Sequence, residues 1–290
     1  MEMNPECVPC LIRRVLFETD EVDSSKARET VEAATKMLAE LFVEGACSAV
    51  VATKVHRRVY DILGDDDPYA ELKRKSNQIS LELYPGAQEH VDSSDDRLRA
   101  AFLCAVMGNV LDFGIGSGFD HPARLREEFG NLLAEGLGHD DTAEIEELLK
   151  GAEKVVYLVD NCGEVVLDRL VLRELRSMGL HVTLVVKGEP ILTDVTKADM
   201  EGLGIEELVD EVVETPGFAI GLDIDSLDGP LGDLLRGADL VIAKGMANYE
   251  LLSETDISPI AYLLRTKCRP VADSMGLAKD INVVQLVRKE

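Results

Sequence analysis

Apolar residues recur at helical spacing through the first half of the chain and in short β-branched runs through the second. Over residues 26–43, Ala27, Val31, Ala34, Leu38 and Leu41 fall three or four apart, the period that lays one stripe along a helix. Asp23, Ser24 and Ser25 precede it as N-cap residues, whose side-chain oxygens accept the first unpaired amides, and Gly45 follows as a stop. Amphipathic stretches at about 48–63, 68–84 and 95–112 predict further helices, punctuated by the run Asp65-Asp66-Asp67, Pro68 and Pro85.

Beyond residue 150 the period changes. Val155–Val159 is a β-branched run, followed by a helical stretch from about Glu164 to Met178 with Gly179 as its stop. His181–Val186, Glu211–Val213, Ala238–Ala243, Ile260–Leu264 and Asn282–Leu286 read as further strands, and Thr215–Pro230 as a glycine-punctuated loop. Strands alternating with helices call for a mostly parallel sheet covered by helices. The predicted class is α/β: a helical domain over residues 1–145, then a Rossmann-like α/β/α sandwich over residues 146–290.

Composition narrows the function classes. The chain has 290 residues, 46% of them apolar, which supplies a core and excludes intrinsic disorder. A formal net charge of −25 repels phosphate backbones and argues against a nucleic-acid partner, while leaving room for a small anion held by a few local cations. The apolar stretch Ala100–Leu111 is broken by Gly108 and Asn109 and is too short for a bilayer, so no membrane partner is expected. The first residues lack the basic start and apolar core of a signal peptide, and six cysteines in a chain this long do not make a disulfide scaffold; both point to a reducing cytoplasm.

Ligands of open α/β sheets bind beyond the carboxyl ends of the strands. Those ends read Asp160-Asn161-Cys162-Gly163-Glu164, Lys187-Gly188-Glu189-Pro190 with Thr193-Asp194 behind, Lys244-Gly245 with Asn248 behind, and Arg265-Thr266-Lys267. Asp160, Asn161 and Asp194 are hard oxygen ligands suited to Mg²⁺ or Mn²⁺. Lys187, Lys244 and Lys267 can neutralise a phosphate, and Glu164 and Asn248 join them at that edge as candidate substrate contacts. Each residue alone has a plainer reading, as a helix cap or an exposed charge; their convergence is what points to a site.

Val-Asp-Asn-Cys-Gly-Glu (159–164), Lys-Gly-Glu-Pro-Ile-Leu-Thr-Asp-Val-Thr (187–196) and Lys-Gly-Met-Ala-Asn-Tyr-Glu (244–250) closely resemble the signatures of the DUF89 family, which includes damage-control phosphatases and a related protein once proposed as an acidic-residue methyltransferase. The resemblance extends to Cys7-Val-Pro-Cys10 and to residues 108–114, and is strongest to the stand-alone archaeal and bacterial branch. It implies a metal-dependent phosphatase of small phosphometabolites (sugar phosphates, nucleotides or damaged cofactor precursors), using Mn, Co, Ni or Mg and metal-activated water. It also implies metal ligation by Asp160, Asn161 and Asp194, a phosphate-facing Lys244 acting with Asp160 in catalysis, and Asn109 and Asp112 lining the cleft from the helical side. Thr193 stands where the family commonly has Asn, and Cys162 where a small residue is usual.

Several features read as decoys. Cys7 and Cys10 form a single pair, an auxiliary metal or thiol site at most, which a hard-ligand centre does not need. Asp112-Phe113-Gly114 lacks every other kinase element, and Gly114-x-Gly116-x-Gly118 follows a helical pattern rather than a strand. His56, His90, His121, His139 and His181 show no paired ligand spacing and read as surface or packing residues. A carboxyl methyltransferase using S-adenosylmethionine would need a richer glycine turn after the first strand, and a non-catalytic phosphometabolite-binding protein would use the same residues.

Overall fold

A computed structural model describes residues 1–109 and 123–289. The N-terminal part is built of helices α1 (Cys7–Val22), α2 (Ala27–Leu41), α3 (Ser48–Leu63), α4 (Ala70–Asp92), α5 (Arg97–Gly108) and α6 (Ala123–Glu135). A short strand β1 (His139–Asp140) and α7 (Thr142–Leu149) lead into β2 (Lys154–Leu158), α8 (Glu164–Ser177), β3 (His181–Val186) and β4 (Glu211–Glu214). The chain closes with α9 (Pro230–Arg236), β5 (Leu240–Lys244), α10 (Gly245–Leu252), β6 (Ile260–Arg265), α11 (Arg269–Met275) and β7 (Asn282–Val287).

The strands form one sheet in the order β1-β7-β6-β5-β2-β3-β4. From β6 to β4 every pairing is parallel; β7 pairs antiparallel with β6, and β1 runs parallel to β7. After β2 the chain builds outward through β3 and β4, then returns to lay β5 on the other side of β2. The switch point therefore lies between the carboxyl ends of β2 and β5, where parallel sheets hold their ligands.

Alternation along the strands splits the core in two. Val155, Tyr157, Val182, Leu184, Leu240 and Ile242 face a layer containing α4, α5 and α8, whereas Val156, Leu158, Val185, Val241 and Tyr262 face α9, α10 and α11. A third cluster joins α1, α2 and α3 to Ile191, Leu192, Phe218 and Ile220, so the helical layer packs directly on the loops after β3 and β4. α4 and α5 thus belong to the sheet's cover, and β1 enters the sheet just ahead of the boundary expected at residue 145.

Pro85 does not end a helix as its sequence position predicts; α4 runs through it to Asp92. Proline removes the amide that would reach the carbonyl of Leu81, but Leu81, Pro85 and Gly86 all lie on the exposed face, so the lost bond falls outside the buried core.

Candidate active site

Asp160 follows β2, and Asn161 forms an antiparallel bridge with Asp194 in the loop after β3. That bridge, together with the amide of Val195 donating to the carbonyl of Asp160 (2.9 Å), brings the three oxygen-bearing residues of two strand ends into one cavity. Asp160 and Asp194 are only 7% and 5% exposed, so their charge is held largely away from bulk water.

The Asp160 carboxylate is tightly framed. Its Oδ2 accepts from Asn161 Nδ2 (2.6 Å) and from Asn109 Nδ2 (2.9 Å). The same two amides donate to Glu164 Oε2, at 3.1 Å and 3.0 Å. Gly245, first residue of α10, has φ +76°, and a Cβ there would stand 1.9 Å from Asp160 Oδ2; only glycine allows the carboxylate to sit against this turn. Asn109 Oδ1 in turn accepts from the Arg265 amide (3.3 Å), tying the end of α5 to β6. Gly108 is equally constrained, because a Cβ would fall 2.8 Å from Glu164 Cα where α5 meets α8.

Thr193, the departure from the family pattern, donates its hydroxyl to Asn161 Oδ1 at 2.6 Å. An amide oxygen has a second lone pair, so this contact orients Asn161 without consuming it. The buried Cys162 packs behind the site; burial pushes its thiol well above the ordinary value, which suits a packing role rather than a nucleophile.

The lysines divide. Lys244 does not face a phosphate: its ammonium donates to Glu164 Oε1, to Asp168 Oδ1 (2.7 Å) and to the carbonyl of Ala105 (3.1 Å), which uses all of its donors. It points into the layer between the sheet and α5/α8. Burial works against its charge, but Asp168 and Glu164 outweigh that and hold its pKa above the usual lysine value. Lys187 is also spent: it pairs with Asp194 Oδ2 (3.2 Å) and donates to the carbonyls of Ala219 (3.1 Å) and Gly221. Lys267 is the strand-end lysine that borders the cavity.

Three more expected substrate contacts serve the frame instead: Asn109, fully buried and spent on Asp160, Glu164 and the Arg265 amide, Glu164 and Asn248. Glu164 is completely buried beneath Asp160, and Asn248 Nδ2 donates to the carbonyls of Val159 (3.2 Å) and Lys244 (2.8 Å), clamping β2 to β5 at the switch point. None of the three borders the cavity. Asp112, the remaining expected contact, lies outside the described residues.

Cys7 and Cys10 are not remote from this centre: both line the same cavity, as does Cys268. Burial, with Glu250 adding to it, pushes the Cys7 thiol up to about 11, and burial pushes Cys268 up to about 12. Each cysteine is a free thiol. Among the described residues no three His, Cys, Asp or Glu side chains converge as a metal would require. The oxygen set at Asp160 includes an amide, and its two carboxylates and one carbonyl oxygen in a shielded cavity suit a hard divalent cation.

Arg14, Glu250 and His56, the last expected as a surface or packing residue, also line the cavity, and the sequence reading assigned none of them to the site. Arg14 and His56 sit on helices whose apolar stripes are legible, but nothing in a stripe says that the neighbouring polar position faces a cavity. A discoverable signal existed in α1, where Leu11, Val15 and Thr19 recur at four-residue spacing.

Residues 3–283 match the family model described as the damage-control phosphatase ARMT1-like domain. A damage-control phosphatase of Archaeoglobus fulgidus is 38% identical, the match covering 100% of this chain and 99% of the relative. The damage-control phosphatase PH1575 of Pyrococcus horikoshii is 31% identical, with 96% of each chain covered. A crystal structure of that DUF89 family protein superposes with a TM-score of 0.87 at 30% identity, covering 99% of both chains.

Proposed function

Because the chain belongs to the damage-control phosphatase ARMT1-like family, we propose that it hydrolyses small phosphate monoesters in the cavity built on Asp160. The observation that carries this reading is the meeting in one cavity of an oxygen-ligand set (Asp160, Asn161, Asp194) with the cations Lys267 and Arg14. A divalent cation held by those oxygens (Mn, Co, Ni or Mg) would supply Lewis-acid polarisation of a phosphoryl oxygen and acidify a water.

The chain's own residues do the rest. Asn109 and Asn161 fix the Asp160 carboxylate from one side, and Lys187 holds Asp194 from the other. Lys244 pairs with Glu164 and Asp168 in the layer below, while Glu164 accepts from both amides through its other oxygen. Lys267 stabilises the negative charge that spreads over the phosphoryl oxygens as the bond to the leaving group lengthens. The cavity's mixed walls, with Leu11, Ala52, Leu192 and Ile220 among the polar groups, suit a phosphate carried on a small organic body such as a sugar phosphate, nucleotide or cofactor precursor.

A phosphate-release screen over those classes, on chelator-stripped protein with and without Mn²⁺, Co²⁺, Ni²⁺ or Mg²⁺, tests the proposal. Metal-dependent release that Asp160→Asn abolishes is expected. Release unaffected by chelation, or equal in Asp160→Asn, overturns it.

A further inference from the structure

The cavity built on Asp160 reverses the charge balance of the chain. Across the whole sequence 55 acids face 30 bases, yet on the cavity wall five bases stand against four acids. The bases are Arg13, Arg14, Lys267, Arg269 and Lys279, and two of the acids are the ligand carboxylates Asp160 and Asp194. With those two committed to a cation, only Glu6 and Glu250 oppose the five, and Glu250 already accepts from the Ser48 hydroxyl. Three segments far apart in sequence deliver the bases: α1, the turn from β6 into α11, and the loop ahead of β7. Such a concentration of cations on one concave surface draws in anions against the field of the acidic chain.

The bases differ in depth. Lys267 is buried, as are Asp160 and Asp194, whereas Arg13, Arg269 and Lys279 are exposed and stand where the cavity meets solvent. Lys279 pairs with Asp280 (3.2 Å). Among the described residues no ion pair or hydrogen bond occupies the guanidinium of Arg13 or of Arg269, whereas Arg57 and Arg236 are held by Glu189 and Asp256. A ligand with its phosphoryl group at the buried end of the cavity has its other end toward the exposed one. A neutral hydroxyl there gains little from an arginine that water already hydrates. A carboxylate or a phosphate matches the planar guanidinium with two parallel charge-assisted bonds.

We propose that the substrate carries a second acidic group, a carboxylate or a phosphate, and that Arg13 and Arg269 bind it at the mouth of the cavity. This rests on the phosphatase reading above and narrows its substrate class to esters that are acidic at both ends. Selection then belongs to the mouth and chemistry to the buried end, so the residues that choose the ester are not those that handle its phosphoryl group.

The test measures kcat/KM on Mn²⁺-loaded protein for two matched pairs of different length. Glycerol 3-phosphate is compared with 3-phosphoglycerate, and ribitol 5-phosphate with ribitol 1,5-bisphosphate, the latter value halved for its two ester groups. Expected in at least one pair is a preference of roughly 10-fold for the member with the second acidic group, expressed mainly in KM, the scale of one hydrogen bond to a charged group. The double variant Arg13→Gln, Arg269→Gln should bring that ratio to within twofold of unity, and 0.5 M salt should reduce it in wild type, because exposed charges are screened. A ratio between two substrates of one preparation is insensitive to how much of the protein is folded, so a destabilised variant does not mimic this result. A preference below twofold in both pairs, or one that survives the double variant, overturns the proposal and leaves the phosphatase reading intact. A wild-type protein that releases phosphate from no ester overturns both.

Discussion

Lys244 and Lys267 stand at the ends of neighbouring strands and are almost equally buried, yet their surroundings assign them opposite duties. Lys244 is locked between two buried carboxylates, and removing one partner of such a cluster leaves uncompensated charge, a loss of roughly 3–5 kcal/mol. Lys244→Met should therefore lower Tm sharply in thermal unfolding, whereas Lys267→Ala should show its main loss in turnover, about 10²–10³ in kcat/KM. The reverse outcome would return the phosphate to Lys244. Asp168 carries a pH signature of the same cluster. Burial pushes its carboxyl up to about 6 from the ordinary 3.8, with Glu164 adding to the rise and Lys244 opposing it. A raised carboxyl pKa favours the protonated folded state, so this contribution is complete below the unfolded value and is lost as pH rises through the folded one. Relative to Asp168→Asn, wild-type Tm should decline between about pH 4 and pH 6 and then level off; a difference flat across that window would contradict the assignment. Gly245→Ala makes a third residue-scale test. Its Cβ would collide with the Asp160 carboxylate, so both folding stability and Mn²⁺ affinity should fall together.

At the scale of elements, β2, β3, β5 and β6 were readable because each is a short apolar run buried on both faces, and observed and expected limits differ there by no more than two residues. α3 spans 48–63 as its stripe implies. What periodicity does not carry is direction at a strand end. The position of Lys244 places it at the sheet's carboxyl edge, but whether it points off the edge or into the α5/α8 layer depends on partners supplied by Glu164, Asp168 and Ala105. Asp160, Asn161 and Asp194 were legible as a set because the backbone itself brings them together, through the Asn161–Asp194 bridge. His56 was not, since its partner Glu18 is 38 positions away on another helix. Pro85 offers an element-scale prediction: Pro85→Ala restores an amide to the interior of α4 and should raise Tm by roughly 2–4 °C, about 1 kcal/mol for a chain of this size, when compared by calorimetry.

For the whole molecule, the acidity that argued against nucleic acid also bears on stability. A net charge of −25 makes the folded chain repel itself, and salt screens that repulsion over about 10 Å at 0.1 M. Among the described residues no helix is long and apolar enough to cross a membrane. The two-part division expected from composition is blurred at its seam, because the third apolar cluster binds the N-terminal helices to the loops that carry the site. The site is thus shared property of both parts.

That shared frame has a consequence in electroneutrality. Asp160, Asp194, Glu164 and Asp168 are four buried carboxylates, with Lys187 set against Asp194 and Lys244 against Glu164 and Asp168. A cation bound there would act as the counter-ion of the fold as well as a reagent, and its removal would leave like charges facing one another in a shielded space. Stripping the protein with chelator should lower Tm, and Mn²⁺ should restore it in a concentration-dependent way that is lost in Asp194→Asn, even for protein that is never offered a substrate.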